Sequence, residues 1–386
     1  MEPTIIQANS YFEEKRYEEA VDICNKILSV NSNSLEAYKL IAKIFLTLGQ
    51  VENSQTYLKR AFNIYPNDCE LIKDLGNTYK ALGDVILARD YYHKAILLDP
   101  NYSPALINLG SIEIDLGNKE IGLSLLIKAT ECSPKLIPAW ANLAKAYVKN
   151  RQLEEAQIAC HKAIEINPNL FNIHFLISSI FMKQNKLEEA EISLIKTIEL
   201  NPNHVESYIN LGVILIELRR FKEAEVYIRK AIKLSPDNAK AHSCLGSILI
   251  DFKRLEEAEL SIRRAIKLKP KLADLYLNLC YVLRDLGKIL EAETSIRQAI
   301  ELEPDRSIFW CTLTGVLIIQ DQLDKAEISV NEALRIDPFN PEAYCSLGAI
   351  LIDKGKLKDA EKAIREAIRL NPKYAQSYLN LGITLR

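Results

Sequence analysis

Five histidines, eight cysteines and recurrent glutamate pairs are the side chains of this 386-residue chain able to hold a metal or move a proton. Their spacing suits neither task. His93, His161, His174, His204 and His242 form no H-x-x-x-H pair, and no C-x-x-C pair exists, so no metal-ligand set is expected. His174 and His242 read instead as packing residues. The Glu-Glu-Ala runs at Glu154, Glu188 and Glu256 recur where a helix begins, and there acids favour the helix dipole. Catalytic carboxylate pairs need a cleft, and these face solvent. All glycines but Gly315 fall at three recurrent positions, which leaves no phosphate-cradling loop. The expectation is a chain without catalytic residues, metal or cofactor.

Binding chemistry is better represented. Asparagine recurs at Asn108, Asn142, Asn210, Asn278 and Asn380, and an amide carries both donor and acceptor, so it can pair with a peptide backbone without reading side chains. Lys39, Lys43, Lys73, Asn77, Lys80 and Lys145 accompany the ladder toward the N-terminus. Toward the C-terminus its companions are Ile209, Val213, Leu277, Tyr281, Leu379 and Ile383.

A strict period must place these residues. Prolines stand at Pro66, Pro100, Pro134, Pro168, Pro202, Pro236, Pro270, Pro304, Pro338 and Pro372, each 34 residues after the last. A fixed period of this size marks a solenoid. The units run 1–34, 35–68, 69–102, 103–136, 137–170, 171–204, 205–238, 239–272, 273–306, 307–340 and 341–374, with a partial unit at 375–386. In the seventh, Tyr208, Leu211, Gly212 and Leu215 share one stripe of a helix A. Phe221, Ala224, Ile228, Ala231 and Ile232 share a stripe of a helix B, which Pro236 ends. Gly212 and Ala224 let the two backbones approach. Asn67 or Asn203, with Glu70 or Glu206 three residues on, is expected to cap the next helix A, and Asn340 before Pro341 does the same.

These landmarks, aromatic, Leu-Gly, Ala, Ala and Pro at fixed offsets, closely resemble the tetratricopeptide repeat over Met1 to Arg386. The resemblance implies an all-α, right-handed superhelical solenoid of stacked helix-turn-helix units, one continuous array in which the A helices line a concave groove. The asparagines are similar to the ladder that clamps extended polypeptide inside O-GlcNAc transferases, although Leu176, Cys244, Thr312 and Ser346 interrupt it and Asp74 stands in the third unit. Lys73, Asn77 and Asn108 match the first part of a carboxylate clamp in chaperone-binding members, whereas Pro138 and Asn142 occupy its two later basic sites.

A residue turns 100° about the helix, so positions two before the packing stripe lie on its far side, facing the groove. Read down the chain, that face is basic and polar at Lys39, Lys43, Lys73, Asn77, Asn108, Asn142 and Lys145. Farther along, at Ile209, Asn210, Val213, Leu277, Asn278, Tyr281 and Asn380, it becomes apolar with amides between. Gly122 within a helix B and Glu113 in place of an apolar residue mark the fourth unit as a soft joint, and the sixth, with His174 and Ser178, reads as loose.

With 49 basic and 51 acidic residues, net charge −2, nothing draws the chain toward nucleic acid or an anionic membrane. No apolar run approaches a membrane span, no secretory signal opens the sequence, and the scattered cysteines suit a reduced, cytoplasmic protein. The reading is therefore a scaffold that binds a protein or peptide segment in the groove. Two alternatives stand beside it. One is the recognition array of a glycosyltransferase or sulfotransferase whose catalytic part lies outside the chain, and the other is homo-oligomerisation through the apolar C-terminal repeats.

Overall fold

The structure, a computed structural model, describes residues 4–385. Among them every regular element is an α-helix, and the helices fall into two compact units, Met1–Leu200 and Asn201–Arg386. The first unit holds six hairpins: α1 (Ile5–Glu13) with α2 (Tyr17–Val30), α3 (Leu35–Thr47) with α4 (Val51–Ile64), α5 (Cys69–Ala81) with α6 (Val85–Leu98), α7 (Ser103–Asp115) with α8 (Lys119–Cys132), α9 (Ile137–Lys149) with α10 (Leu153–Ile166), and α11 (Phe171–Lys183) with α12 (Leu187–Leu200). The second holds α13 (Val205–Glu217) with α14 (Phe221–Leu234), α15 (Ala239–Asp251) with α16 (Leu255–Leu268), α17 (Ala273–Asp285) with α18 (Ile289–Leu302), α19 (Ser307–Ile319) with α20 (Leu323–Ile336), α21 (Pro341–Asp353) with α22 (Leu357–Leu370), and then α23 (Ala375–Thr384). Odd-numbered helices are the A helices of the sequence period and even-numbered ones the B helices. Within each unit a hairpin packs on the next, which is the all-α solenoid that the period implies.

Hairpin closure is governed by the small residue on helix A. A methyl group on Gly212 would sit 2.5 Å from Cδ1 of Ile228, and on Gly76 it would meet the Tyr92 ring at 2.6 Å. The glycine therefore receives a large side chain of helix B one turn beyond the alanine at Ala224 or Ala88. At Thr314 the small residue is buried and turns its hydroxyl back to Trp310 O at 2.8 Å, which leaves Gly315 in open space. The hairpin turn itself requires a left-handed residue. Five turns use glycine, while Lys15, Arg151, Asn185, Arg219, Lys253 and Asp321 adopt φ of 57–62° without it. Each such residue costs about 1–2 kcal/mol, and the reversal is held by bonds such as Arg220 N to Leu215 O at 2.8 Å.

Sequence periodicity shows a ring near the start of most A helices, and the structure shows why tyrosine, tryptophan and histidine exchange there. Each donates to the carbonyl of the proline six residues earlier: Tyr208 Oη to Pro202 O at 3.1 Å, Trp140 Nε1 to Pro134 O at 2.9 Å, His242 Nε2 to Pro236 O at 2.9 Å. His174 does the same toward Pro168. The sixth hairpin thus keeps the anchor of its neighbours, and Ser178, expected as a sign of looseness, is fully buried. The N-caps also differ by one residue from expectation. Asp68, not Asn67, accepts from Leu71 N at 2.7 Å, and His204, not Asn203, precedes α13 without a side-chain cap. The chain needs one more residue after proline to reach extended backbone, while Asn340 caps as read, accepting from Glu342 N and Ala343 N.

The fourth hairpin reverses its expectation as well. A Cβ on Gly122 would lie 2.6 Å from Ile114 Cγ1 and 2.7 Å from the Gly110 carbonyl oxygen, so here both helices lack a side chain and the backbones come closer than elsewhere. Glu113 is fully buried, yet it accepts from Arg89 Nε at 2.5 Å and Asn118 Nδ2 at 2.7 Å. Burial acts to raise this carboxyl, and the two bonds outweigh it, holding the group below the ordinary glutamate range. Tight contact and a satisfied charge replace the supposed joint.

In the second unit a half-buried acid recurs on the B helices. Glu225 pairs with Arg229 one turn on and with Arg254, ahead of the next B helix, at 2.8 Å; Glu259 pairs with Arg263 and with Lys288 at 2.8 Å. Glu293 accepts from Arg297 and Gln320, and Glu327 from Lys354. The ladder links each of these hairpins to its successor, a pattern the sequence conceals because any single Glu resembles a solvated charge.

Two outcomes follow from this packing. Gly122→Ala, although it removes a helix-interior glycine, should lower stability by about 1–3 kcal/mol through overpacking, whereas Gly315→Ala should raise it by up to ~1 kcal/mol. Denaturant unfolding of both variants checks the opposite signs. His242→Phe should cost about 0.5–1.5 kcal/mol through the lost bond to Pro236 O, and His242→Tyr should recover it; equal melting of the two would remove the donor role from this position.

Candidate functional site

On the first unit the A helices line two clefts. The larger, about 560 Å³, lies among α1, α3 and α5, with Ile5, Leu40, Leu46 and Leu58 below Lys39, Lys43 and Lys73. The smaller, about 240 Å³, lies among α5, α7 and α9, bordered by Lys80, Asn108, Asn142 and Lys145. The polar candidates named from sequence thus do gather on one face of this unit.

Their charges are not free in the way a basic face requires. Lys39 Nζ reaches Glu70 at 2.7 Å and Asp68 at 3.2 Å, and Lys73 Nζ reaches Asp74 at 2.6 Å. Lys43 stands 4.4 Å from the centre of the Phe12 ring. The expectation of a basic N-terminal groove is therefore corrected for the larger cleft, because Asp68 and Glu70 of the following hairpin neutralise Lys39, and Asp74 on the same helix neutralises Lys73. Asn77 is bound on every side: its Oδ1 accepts from Tyr92 Oη at 2.8 Å and Asn108 Nδ2 at 2.9 Å, and its Nδ2 donates to Asp74 at 3.3 Å. A carboxylate clamp built on Lys73, Asn77 and Asn108 would have to displace Asp74 and break this network. Asn142 donates to Pro138 O, and Lys145 stands exposed.

On the second unit the apolar stripe is largely covered. Ile209, expected to face a partner, is fully buried. Val213, Leu277 and Tyr281 are half-buried, and Tyr281 Oη shares a hydrogen bond with Thr312 at 3.3 Å. Asn210 accepts from Lys240 at 3.1 Å. Asn380 is also corrected: it is buried, donates to Cys345 O and accepts from Gln376, and so has little left for a ligand. Asn278 makes no hydrogen bond among the described residues, and its amide is open. Only α23 exposes its stripe, with Leu379 at 60% and Ile383 at 51%.

Among the described residues no group of His, Cys, Asp or Glu could hold a metal ion, and no helix is long and apolar enough to cross a membrane.

Family models match this chain over four windows. The cilia and flagella-associated protein 70 C-terminal domain matches residues 70–274, more than half of the 386. Tetratricopeptide repeat models match 35–68, 273–306 and 341–374, windows that coincide with the second, ninth and eleventh units. No curated protein matches. Among solved structures, the chain resembles the APC/C hetero-tetramer Cut9-Hcn1 at 12% identity over 98% of this chain and 95% of that one, with a TM-score of 0.52, a likeness of fold. YrrB, a TPR protein with an unusual peptide-binding site, aligns at 22% identity over 48% of this chain and 96% of its own, with a TM-score of 0.42. The pilF protein of Pseudomonas aeruginosa aligns at 18% over 54% and 94%, with a TM-score of 0.48.

One carboxylate on the A-helix face is held against its preference. Burial pushes Asp74 above the ordinary aspartate range, and Lys73 beside it only partly offsets the effect. A raised folded pKa means that the group's contribution is present below the unfolded value and is lost as pH rises through the folded one. Asp74→Asn, which keeps an acceptor for Asn77, should therefore be more stable than the parent at neutral pH, and the gap should close below the unfolded aspartate value of about 3.9. Melting temperatures across that range check the sign.

Proposed function

This chain belongs to the tetratricopeptide repeat proteins and to the family of the cilia and flagella-associated protein 70 C-terminal domain, and we propose that it is a non-catalytic scaffold holding an extended polypeptide along its A helices. The observation that supports this most is the pair of clefts on the first unit, which share α5 as a common wall and so offer a run of subsites on a single face. Extended chain suits such a run better than a globular surface does. Its backbone offers a donor and an acceptor at each residue, and the second amide hydrogens of Asn108 and Asn142 complement them. The aliphatic floor of the larger cleft, Leu40 and Leu58 among it, takes a side chain out of water at about 25 cal/mol per Å². The second unit, taken by itself, offers similar chemistry at Asn278 and the half-buried Leu277 and Val213.

Peptides selected from a random library against the intact chain test the proposal. Affinity for the selected peptides should fall by about tenfold, a loss near 1.4 kcal/mol, when Lys43→Trp fills the larger cleft. The exposed Lys26→Trp on α2 should leave it unchanged, with both variants as helical as the parent. Peptides insensitive to Lys43→Trp, or equally sensitive to both changes, would defeat the assignment of the A-helix face.

A further inference from the structure

The two clefts of the first unit differ in a way that bears on what they receive. In the larger, Lys39 and Lys73 are each matched by a carboxylate within 3.2 Å, Lys43 stands over the Phe12 ring, and Glu36, Glu70 and Asp74 among the lining balance the three lysines in charge. The smaller is bordered by Lys80, Lys145 and Lys149, and Asp115 is the acid among its lining residues. Lys149 takes that aspartate as its ion-pair partner. Lys80 and Lys145 are exposed, and their ammonium groups make no ion pair or hydrogen bond among the described residues. Two positive charges are thus left over in a concavity of about 240 Å³, room for one side chain.

We infer that this cleft receives a glutamate or aspartate side chain of the bound polypeptide, which makes the scaffold selective for acidic segments; the inference rests on the A-helix reading above. Leu126, Ile114 and Ala146 line the cleft with apolar surface, which lowers the local dielectric and strengthens attraction between a carboxylate and the two ammonium groups. A carboxylate is the anion that an unmodified polypeptide offers, and two lysine point charges attract it without the planar fork that an arginine would add. Asn108 and Asn142 each use one N–H within the chain and keep a second for the backbone beside the acidic residue.

The test is fluorescence anisotropy of the full chain with a labelled dodecapeptide of alternating glycine and glutamate, beside its glutamine and phosphoserine counterparts. The glutamate peptide should bind about tenfold tighter than the glutamine one at low salt, and the advantage should shrink at physiological ionic strength. Lys80→Gln with Lys145→Gln should reduce glutamate binding to the glutamine level. Lys26→Gln with Lys135→Gln, which removes the same charge from α2 and an inter-hairpin turn, should not. Equal binding of the glutamate and glutamine peptides, or equal loss in both lysine pairs, would overturn the acidic preference. If the glutamine peptide still binds and loses affinity with Lys43→Trp, the A-helix reading stands while this one falls; binding by neither peptide counts against both. Capture of the phosphoserine peptide alone would overturn the choice of carboxylate.

Discussion

The separation of two helix backbones within a hairpin is the quantity on which this architecture depends. An ordinary side chain on helix A at Gly76, Gly212, Gly246 or Gly348 would collide with a large side chain of helix B within 2.6 Å. With no Cβ there, Ile228, Ile262, Ile364 or the Tyr92 ring fills the space instead, and the apolar stripes of both helices are brought into register. Hairpin geometry in turn fixes where the ring of helix A meets the preceding proline carbonyl, and hence how one hairpin is handed to the next. The A-helix face is what remains when those packing demands have been met.

Much of this was legible in the sequence, because it rests on interactions that repeat every 34 residues. The hairpins, the glycine contact and the polar gathering at Lys39, Lys73, Asn108 and Asn142 all follow from period and helical angle. What the sequence concealed depends on partners that other helices bring in. Lys39 reads as a free cation until Asp68 and Glu70 are seen beside it, and Asn77 reads as a peptide-binding amide until Tyr92 and Asn108 close around it. Ile209 was misplaced for a related reason: helical angle gives a direction on an isolated helix, but packing decides whether that direction meets water. Glu113 and Gly122 misled in the opposite sense, since two unfavourable residues judged singly form one tight and satisfied contact.

The same distinction between compensated and uncompensated charge separates structure from recognition on the A-helix face. Lys39, matched by Asp68 and Glu70 of the following hairpin, contributes to the join between hairpins. Asp74, paired with its neighbour Lys73 on the same helix, is the costly acid of this face, for burial desolvates its carboxylate. Lys80 and Lys145 have no such duty, and that freedom makes them available to something from outside.

The acidic ladder on the B helices carries a consequence for the ancestry of the chain. From the seventh repeat to the tenth, each offers an acid to the repeat after it, and the eighth, ninth and eleventh answer with a cation, Arg254, Lys288 or Lys354, while the tenth answers with Gln320. Excising residues 239–272 as a block would bring Glu225 opposite Lys288, a cation replacing a cation, with no buried carboxylate orphaned. Duplication is equally benign. A polymer whose joints are interchangeable in this sense can vary its length by unequal recombination without first acquiring new contacts, and the number of subsites along its A helices becomes a heritable trait.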